Sequence, residues 1–200
     1  MKKVFFITSI FIFTSHAFNA CKKPDHHDIP VKKYPADVAI AWMNLHMRLS
    51  MTTPAFNSTV TSRSFGYAAL TLYESVAPGI GGYQSIAGQL SEGGQLKKLL
   101  PEPKNVPYHW PASANAAMAR ITKSLFGNTS PANISTIDSL EMSFHTKFQT
   151  EATAEQLGLS EAFGRQIASA IFDWSKTDGG HEPYLHVTSP DYIPPTGPAF

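Results

Sequence analysis

The chain has 200 residues, of which 42% are hydrophobic and 16% are charged, and its formal net charge is +1. These values are typical of a globular protein and exclude a collagen-like or a highly charged, disordered chain. The near-neutral charge also lacks the strongly basic balance typical of nucleic-acid-binding proteins, so we expect no nucleic-acid partner.

Residues 1–20 are organised like a signal peptide. Two lysines precede the apolar run VFFITSIFIF (residues 4–13). That run is shorter than the roughly 20 residues that span a bilayer. Two cleavage sites compete after it: SHA at residues 15–17 suits signal peptidase I, and FNAC at residues 18–21 resembles a lipobox. The sequence therefore predicts export.

Cys21 is the only cysteine, so the chain cannot form an internal disulfide. We expect Cys21 to be the lipidated first residue of a bacterial lipoprotein, which would anchor the protein to a membrane. The alternative is a free cysteine just after an ordinary cleavage site. Residues 21–35 then form a polar tether punctuated by prolines. We expect His26 and His27 in this tether to be solvated, because adjacent histidines without a scaffold do not fix a metal geometry.

Residues 36–200 form the predicted domain, in which apolar residues recur at the spacing of helix faces. The second helix is apolar over much of its circumference, so we expect it near the centre of the bundle. A long loop should pack through the aromatic residues of its YHWP sequence (residues 108–111). The predicted segments are a helix from Ala36 to Pro54, a helix from Ser58 to Ala77, an irregular proline-rich stretch from Gly79 to Pro111, and helices beginning near Ser113, Pro131 and Thr153.

Capping sequences mark the later helices. Ser130 followed by Pro131 is typical of an N-cap with proline at the first helical position. Thr153 opens a capping-box pattern, and Ser160 would restart the cap after Gly158. No run alternates with period two for long enough to be a strand. The sequence therefore predicts an all-α helical bundle of about five helices with a long proline-rich loop.

Few side chains are candidates for chemistry. Glu74 lies on an apolar helix, where a buried carboxylate needs a partner. We expect a structural ion pair with an interhelical partner such as Arg48 or Arg120 rather than a catalytic acid. Trp42 and His46 share a helix face, and we expect them to pack in or beside the core rather than to bind a ligand.

The sequence DGGHEPYLH (residues 178–186) contains two histidines, an aspartate and a glutamate. Metal ligation is one interpretation, but a helix C-cap at Gly179 and Gly180 followed by a turn explains the same residues. We expect His145 to pack beside the aromatic stripe of its helix. The chain has no phosphate loop, nucleophile elbow or HExxH motif. We therefore assign no catalytic, cofactor-binding or metal-binding residue.

Four segments, taken in order, resemble a known family. They are SFGYAALTLYESVAPGIGGYQSIAGQL (residues 64–90), LPEP followed by YHWPASANAAMARITKSLF (residues 100–126), IFDWSKTDGGHEPYL (residues 171–185) and YIPPTGPAF (residues 192–200). Together they resemble the N-terminal half of bacterial vanadium-dependent haloperoxidase-like proteins, which belong to the type 2 phosphatidic acid phosphatase superfamily.

The resemblance implies a helical bundle that holds vanadate or phosphate in its complete form. The family uses a Lys-x₆-Arg-Pro motif, a Pro-Ser-Gly-His motif and a Ser-Arg-x₅-His-like motif. Arginine forks suit a tetrahedral oxyanion, and one histidine ligates vanadium or attacks phosphorus. None of the four arginines precedes proline, and Ser-Gly-His is absent. We therefore expect the vanadate ligands in a C-terminal catalytic half of the same protein, with residues 186–200 as the linker that leads to it.

The sequence thus predicts the N-terminal portion of an exported vanadium-dependent haloperoxidase-like enzyme, which oxidises halide with peroxide at bound vanadate. One alternative is an acid phosphatase of the same superfamily that acts on phosphate monoesters. A second alternative is a stand-alone exported helical binding module without catalysis. A third is a degenerate enzyme that scaffolds a membrane-bound partner.

Overall fold

The computed structural model describes residues 30–90 and 94–185. Over these residues the fold is entirely helical, with six α-helices, short 3₁₀ turns and no β-strand. The helices are α1 (Asp37–Thr52), α2 (Ser58–Glu74), α3 (Gln95–Leu99), α4 (Trp110–Leu125), α5 (Pro131–Phe148) and α6 (Ala154–Ser175). The prediction of an all-α fold with about five helices is confirmed.

Helix α4 forms the centre of the bundle. Every residue from Trp110 to Ala119 is buried, and α4 packs against α1, α2, α5 and α6. Its sequence explains this position, because its many alanines present little side-chain bulk and let neighbouring helices approach closely. The apolar circumference of the second helix predicts that helix near the centre of the bundle. In the structure the central position belongs to α4 instead.

Helices α4 and α6 approach each other closely. A Cβ atom added at Gly164 would lie only 2.1 Å from the carbonyl oxygen of Ser113, so the two helix backbones are in direct contact there. A second close approach places Gly79 against the indole of Trp110, which a Cβ atom would meet at 2.2 Å. Both positions therefore require glycine for lack of space rather than for an unusual backbone angle.

Among residues 30–90 and 94–185 the buried apolar side chains form two clusters. The first joins α1, α4 and α5 around Trp42, Leu45, Met118, Ile121, Ile137 and Phe148. The second joins α6 to the long loop through Leu96, Tyr108, Trp110, Phe163, Ile167 and Ile171. Tyr108 stacks on Trp110 with ring centroids 5.0 Å apart. The prediction that the YHWP sequence anchors its loop by packing is confirmed.

The capping predictions are confirmed for two helices. The Ser130 side chain accepts a hydrogen bond from the amide of Asn133 at the start of α5. The Thr153 side chain accepts one from the amide of Gln156 at the start of α6. The prediction that Ser160 restarts the cap is wrong. Ser160 lies within the continuous helix α6, and its hydroxyl donates to the Gln156 carbonyl one turn earlier.

The long stretch from Gly79 to Pro111 is less irregular than predicted. It contains α3, which begins after Gly94 in the left-handed conformation. Helix α4 also begins earlier than expected, at Trp110 instead of Ser113. The reason is an unusual N-cap, because Nδ1 of His109 accepts a hydrogen bond from the Ala112 amide at 3.3 Å.

The described part of the predicted tether packs on the domain. Val31 and Tyr34 lie against the second apolar cluster, and the Tyr34 ring meets His109 edge to face at 5.2 Å. The predicted signal peptide, Cys21, the His26–His27 pair and residues 186–200 lie outside the described residues. Within residues 30–90 and 94–185, every helix is too short or too polar to cross a lipid bilayer.

Candidate functional site

A surface cleft of about 660 Å³ lies between α2 and the C-terminal end of α6. We name it the α2–α6 cleft. Gly66, Ala69 and Tyr73 share one face of α2, at the i, i+3 and i+7 positions that align along a helix. Because Gly66 and Ala69 carry at most a methyl group, the helix surface between the aromatic residues is open. The walls of the cleft are formed by Tyr67, Tyr73, Leu90 and Trp174.

One end of the cleft is closed by a charged pair. Arg63 donates two hydrogen bonds to the Asp178 carboxylate, from Nε at 2.7 Å and from Nη2 at 3.0 Å. The Tyr67 hydroxyl donates to the same carboxylate at 2.8 Å, and the Gly180 amide donates at 2.8 Å. A bidentate guanidinium–carboxylate pair of this kind fixes the geometry of both side chains. It ties the segment after α6 to the middle of α2.

At the Arg63–Asp178 end of the cleft, the protonation states favour ligand binding over proton transfer. Burial raises the pKa of Tyr67 to about 12, with a further contribution from its hydrogen bond to Asp178, so the phenol stays protonated. Burial alone would raise the pKa of Asp178, but the hydrogen bonds from Arg63, Gly180 and Tyr67 lower it. The carboxylate is therefore ionised and already occupied by donors. The cleft offers an apolar, aromatic surface beside a neutralised ion pair.

Glu74 is buried as expected, but its predicted ion pair is wrong. Its side chain is 3% exposed, and Oε1 accepts a hydrogen bond from the backbone amide of Ile86 at 2.9 Å. Neither Arg48 nor Arg120 is its partner. Glu74 also borders a second cavity of about 260 Å³, on the side facing the long loop. The carboxylate thus fastens the loop after α2 to the end of that helix.

Trp42 and His46 lie in the core, as predicted. Trp42 donates its indole hydrogen to Asn115 Oδ1 at 2.8 Å. His46 Nε2 lies 3.1 Å from the Ser64 hydroxyl, and the ring packs edge to face on Phe65 and Phe126. Burial lowers the pKa of His46 to about 4. The imidazole is therefore neutral at physiological pH and belongs to the packing between α1 and α2.

His145 lies in an ion-pair network at the surface of α5 rather than beside an aromatic stripe alone. Its Nδ1 is 2.5 Å from Glu161 Oε1 on α6. Arg165 bonds the other oxygen of Glu161 at 3.2 Å and reaches Glu141 at 3.0 Å. The network joins α5 to α6 through partly exposed side chains, from 14% exposed at Glu161 to 47% at Arg165, so solvent screening keeps its contribution to stability modest.

His109 was not singled out by its sequence, yet it is almost fully buried. Besides capping α4, its ring lies 3.1 Å from Glu151 Oε2, and its backbone amide donates to the Ser160 hydroxyl at 2.8 Å. Burial lowers the pKa of His109, and the adjacent Glu151 opposes that shift. A histidine N-cap has no common sequence signature, so only its position just before a helix starting with Trp-Pro could have indicated this role.

The predicted helix cap is present at Gly179. Gly179 adopts the left-handed conformation with φ of 78°, directly after a 3₁₀ turn (Lys176–Asp178) that continues α6. The His181 ring packs on Phe172 at 5.6 Å. In the described ranges no group of three or more histidine, cysteine, aspartate or glutamate side chains could hold a metal ion. His186 lies outside those ranges.

Arg63 and Arg165 are not available to hold vanadate or phosphate. An oxyanion site needs guanidinium or ammonium groups that converge with free donors. Arg63 instead donates to Asp178, and Arg165 donates to Glu141 and Glu161. These carboxylates occupy the donors that an oxyanion would need.

Neither a protein-family model, nor a curated protein, nor a solved structure matches this chain.

Proposed function

We propose that residues 36–200 form the N-terminal helical part of an exported vanadium-dependent haloperoxidase-like enzyme. The complete enzyme would oxidise halide with peroxide at a bound vanadate. The proposal places a lipid anchor at Cys21 and the vanadate ligands in a C-terminal half that follows Phe200. Within this protein, the described helices would form one wall of the bundle against which the catalytic half packs.

One observation carries the proposal: the described segments that resemble the family pack against one another. The segments are residues 64–90, 100–126 and 171–185. Ser113 donates a hydrogen bond to the Ser75 carbonyl at 2.7 Å and so joins the first segment to the second. Tyr67 bonds Asp178 at 2.8 Å and so joins the first segment to the third.

Segments so distant in sequence need not meet. By analogy with other folds, their meeting in one packed unit is what membership of a single family fold would produce. The aromatic contact between Tyr67 and Trp174, with ring centroids 5.7 Å apart, adds a second link between the first and third segments.

The experiment begins with the codons that follow Phe200 in the intact gene. We expect them to encode the Lys-x₆-Arg-Pro, Pro-Ser-Gly-His and Ser-Arg-x₅-His-like motifs. The full-length product should then oxidise bromide in the presence of peroxide and added vanadate. Hydrolysis of phosphate monoesters without bromide oxidation would instead favour the phosphatase alternative. A stop codon directly after Phe200, with no such motif nearby, would contradict both.

The α2–α6 cleft favours a second candidate function, which is a stand-alone exported binding module. Its aromatic walls and neutralised ion pair suit a partner with apolar character. This candidate predicts that residues 35–200 unfold cooperatively as a soluble monomer. Aggregation or non-cooperative melting of that segment would contradict it and would indicate that a missing half is needed.

A further inference from the structure

The α2–α6 cleft combines two properties of surfaces that bind extended, proline-rich segments. Three aromatic residues, Tyr67, Tyr73 and Trp174, line it. Between them Gly66 and Ala69 are exposed, and a Cβ atom added at Gly66 would meet nothing within 4 Å. Proline rings dock between aromatic side chains on grooves of this kind, with little entropy lost because the polyproline II conformation is preformed.

The charge of the cleft selects against a charged occupant. Arg63 and Asp178 neutralise each other at one end of the cleft, and Leu90 is 44% exposed at the cleft wall. An occupant would therefore need apolar side chains and no strong net charge.

The chain itself contains a segment with this chemistry. Residues 186–200 read HVTSPDYIPPTGPAF and lie outside the described residues. The segment has four prolines, two aromatic residues, one isoleucine and a single aspartate. Its PPTGP sequence (residues 194–198) places prolines three positions apart, which is the period of the polyproline II helix.

The segment starts close enough to reach the cleft. The chain passes Arg63 at Gly180, where an added Cβ atom would lie 2.8 Å from Arg63 Nε. Leu185 is five residues further on, so it lies within about 17 Å of that point. The cleft extends along α2 from Arg63 to Tyr73, a helical rise of about 15 Å. Fifteen residues in polyproline II conformation span about 46 Å, which exceeds the sum of these distances.

We propose that residues 190–198 dock in the α2–α6 cleft as an extended polyproline II segment. The prolines pack between Tyr67, Tyr73 and Trp174, and the segment covers the exposed surface at Gly66 and Ala69. This intramolecular contact does not depend on the proposed enzymatic function. It assigns the cleft an occupant from the same chain, which the apolar partner of the binding-module candidate would have to displace.

Disulfide trapping in the full chain tests the contact. Cys21→Ser removes the only native thiol, and Ala69→Cys with Thr196→Cys then supplies one thiol in the cleft and one between the prolines. The matched control pairs Thr196→Cys with Ser139→Cys, an exposed position on α5, which packs on α1 and α4 rather than on α2. We expect the cleft pair to form its intramolecular disulfide at least tenfold faster than the control pair, at a dilution that keeps the protein monomeric.

Equal rates for the two pairs would overturn the proposal. Predominantly disulfide-linked dimers from the cleft pair would also overturn it, since the cleft would then belong to a second copy. A further variant tests the recognition itself. Adding Pro195→Gly and Pro198→Gly to the cleft pair should reduce its rate to that of the control. An unchanged rate would refute docking through the prolines. These two substitutions leave the described helices intact, so a failure to fold would not confuse the result.

Discussion

Replacing Gly164 by alanine should destabilise the domain strongly for so small a change. The added Cβ atom would lie 2.1 Å from the Ser113 carbonyl oxygen and 3.1 Å from the Ser113 Cα. Ordinary contacts of a Cβ atom begin at 3.4 Å, so α4 and α6 would have to separate by more than 1 Å. The obstacle is backbone on the central helix, which cannot turn aside as a flexible side chain could.

The magnitude follows from two opposing effects. Overpacking lowers the free energy of unfolding by about 1–3 kcal/mol. Because the contact at Gly164 is with rigid backbone, we expect the upper end of that range, about 3 kcal/mol. Alanine is a better helix former than glycine and returns about 1 kcal/mol. We therefore expect Gly164→Ala to lower the free energy of unfolding by about 2 kcal/mol. Gly158 in the same helix is exposed, and a Cβ atom there would meet nothing within 4 Å. Gly158→Ala should therefore raise stability by up to about 1 kcal/mol.

Urea denaturation followed by circular dichroism measures both variants. The midpoint should fall for Gly164→Ala and rise or stay unchanged for Gly158→Ala, with similar slopes for the two proteins. If Gly164→Ala leaves the midpoint unchanged or raises it as Gly158→Ala does, the close backbone contact between α4 and α6 does not limit packing. The reasoning from the distance to Ser113 would then be refuted.

Two further predictions concern buried polar groups. The pKa of His46 is about 4 in the fold and about 6.5 when unfolded. Between pH 4 and pH 6.5 the imidazole is therefore protonated in the unfolded state and neutral in the folded state. Stability should be fully present above pH 6.5 and fall towards pH 4 by up to about 1.4 kcal/mol per pH unit. Chemical denaturation of His46→Gln should lack this part of the slope, and an unchanged pH profile would contradict the assignment. At Glu74, Glu74→Gln keeps an acceptor for the Ile86 amide and should change stability little, whereas Glu74→Leu should cost about 1–3 kcal/mol in thermal or urea unfolding. Equal losses for the two variants would indicate that the carboxylate charge matters.

Helix positions could be predicted from the sequence where local rules decide them. The apolar spacing located α1, α2, α5 and α6, and capping residues marked the start of α5 at Ser130 and of α6 at Thr153. Such signals are local, because a cap and its amide partner lie within three residues. Ser160 shows the limit of the same rule, since its hydroxyl bonds the preceding turn and accepts from His109 instead of opening a helix.

The remaining features depend on partners that the sequence does not pair. Glu74 needed a partner, but the partner is a backbone amide that any residue could supply. Helix α3 is only five residues long, which is too short for periodicity to identify. The α2–α6 cleft could not be predicted either. Its charged pair joins Arg63 to Asp178 across 115 positions, and neither residue lies in a motif that requires the other.

The Arg63–Asp178 pair also has a consequence for concentration. Because it fixes Asp178 beside the α2–α6 cleft, a segment that follows Asp178 in the chain would meet the cleft at an effective concentration of the order of millimolar. A contact with a dissociation constant as weak as about 1 mM would then be roughly half occupied within a single molecule. A free competitor of the same affinity would need a similar concentration to displace it. An ion pair that contributes only about 1 kcal/mol or less to folding can thus favour occupancy of the cleft by a segment of the same chain over a free ligand of equal affinity.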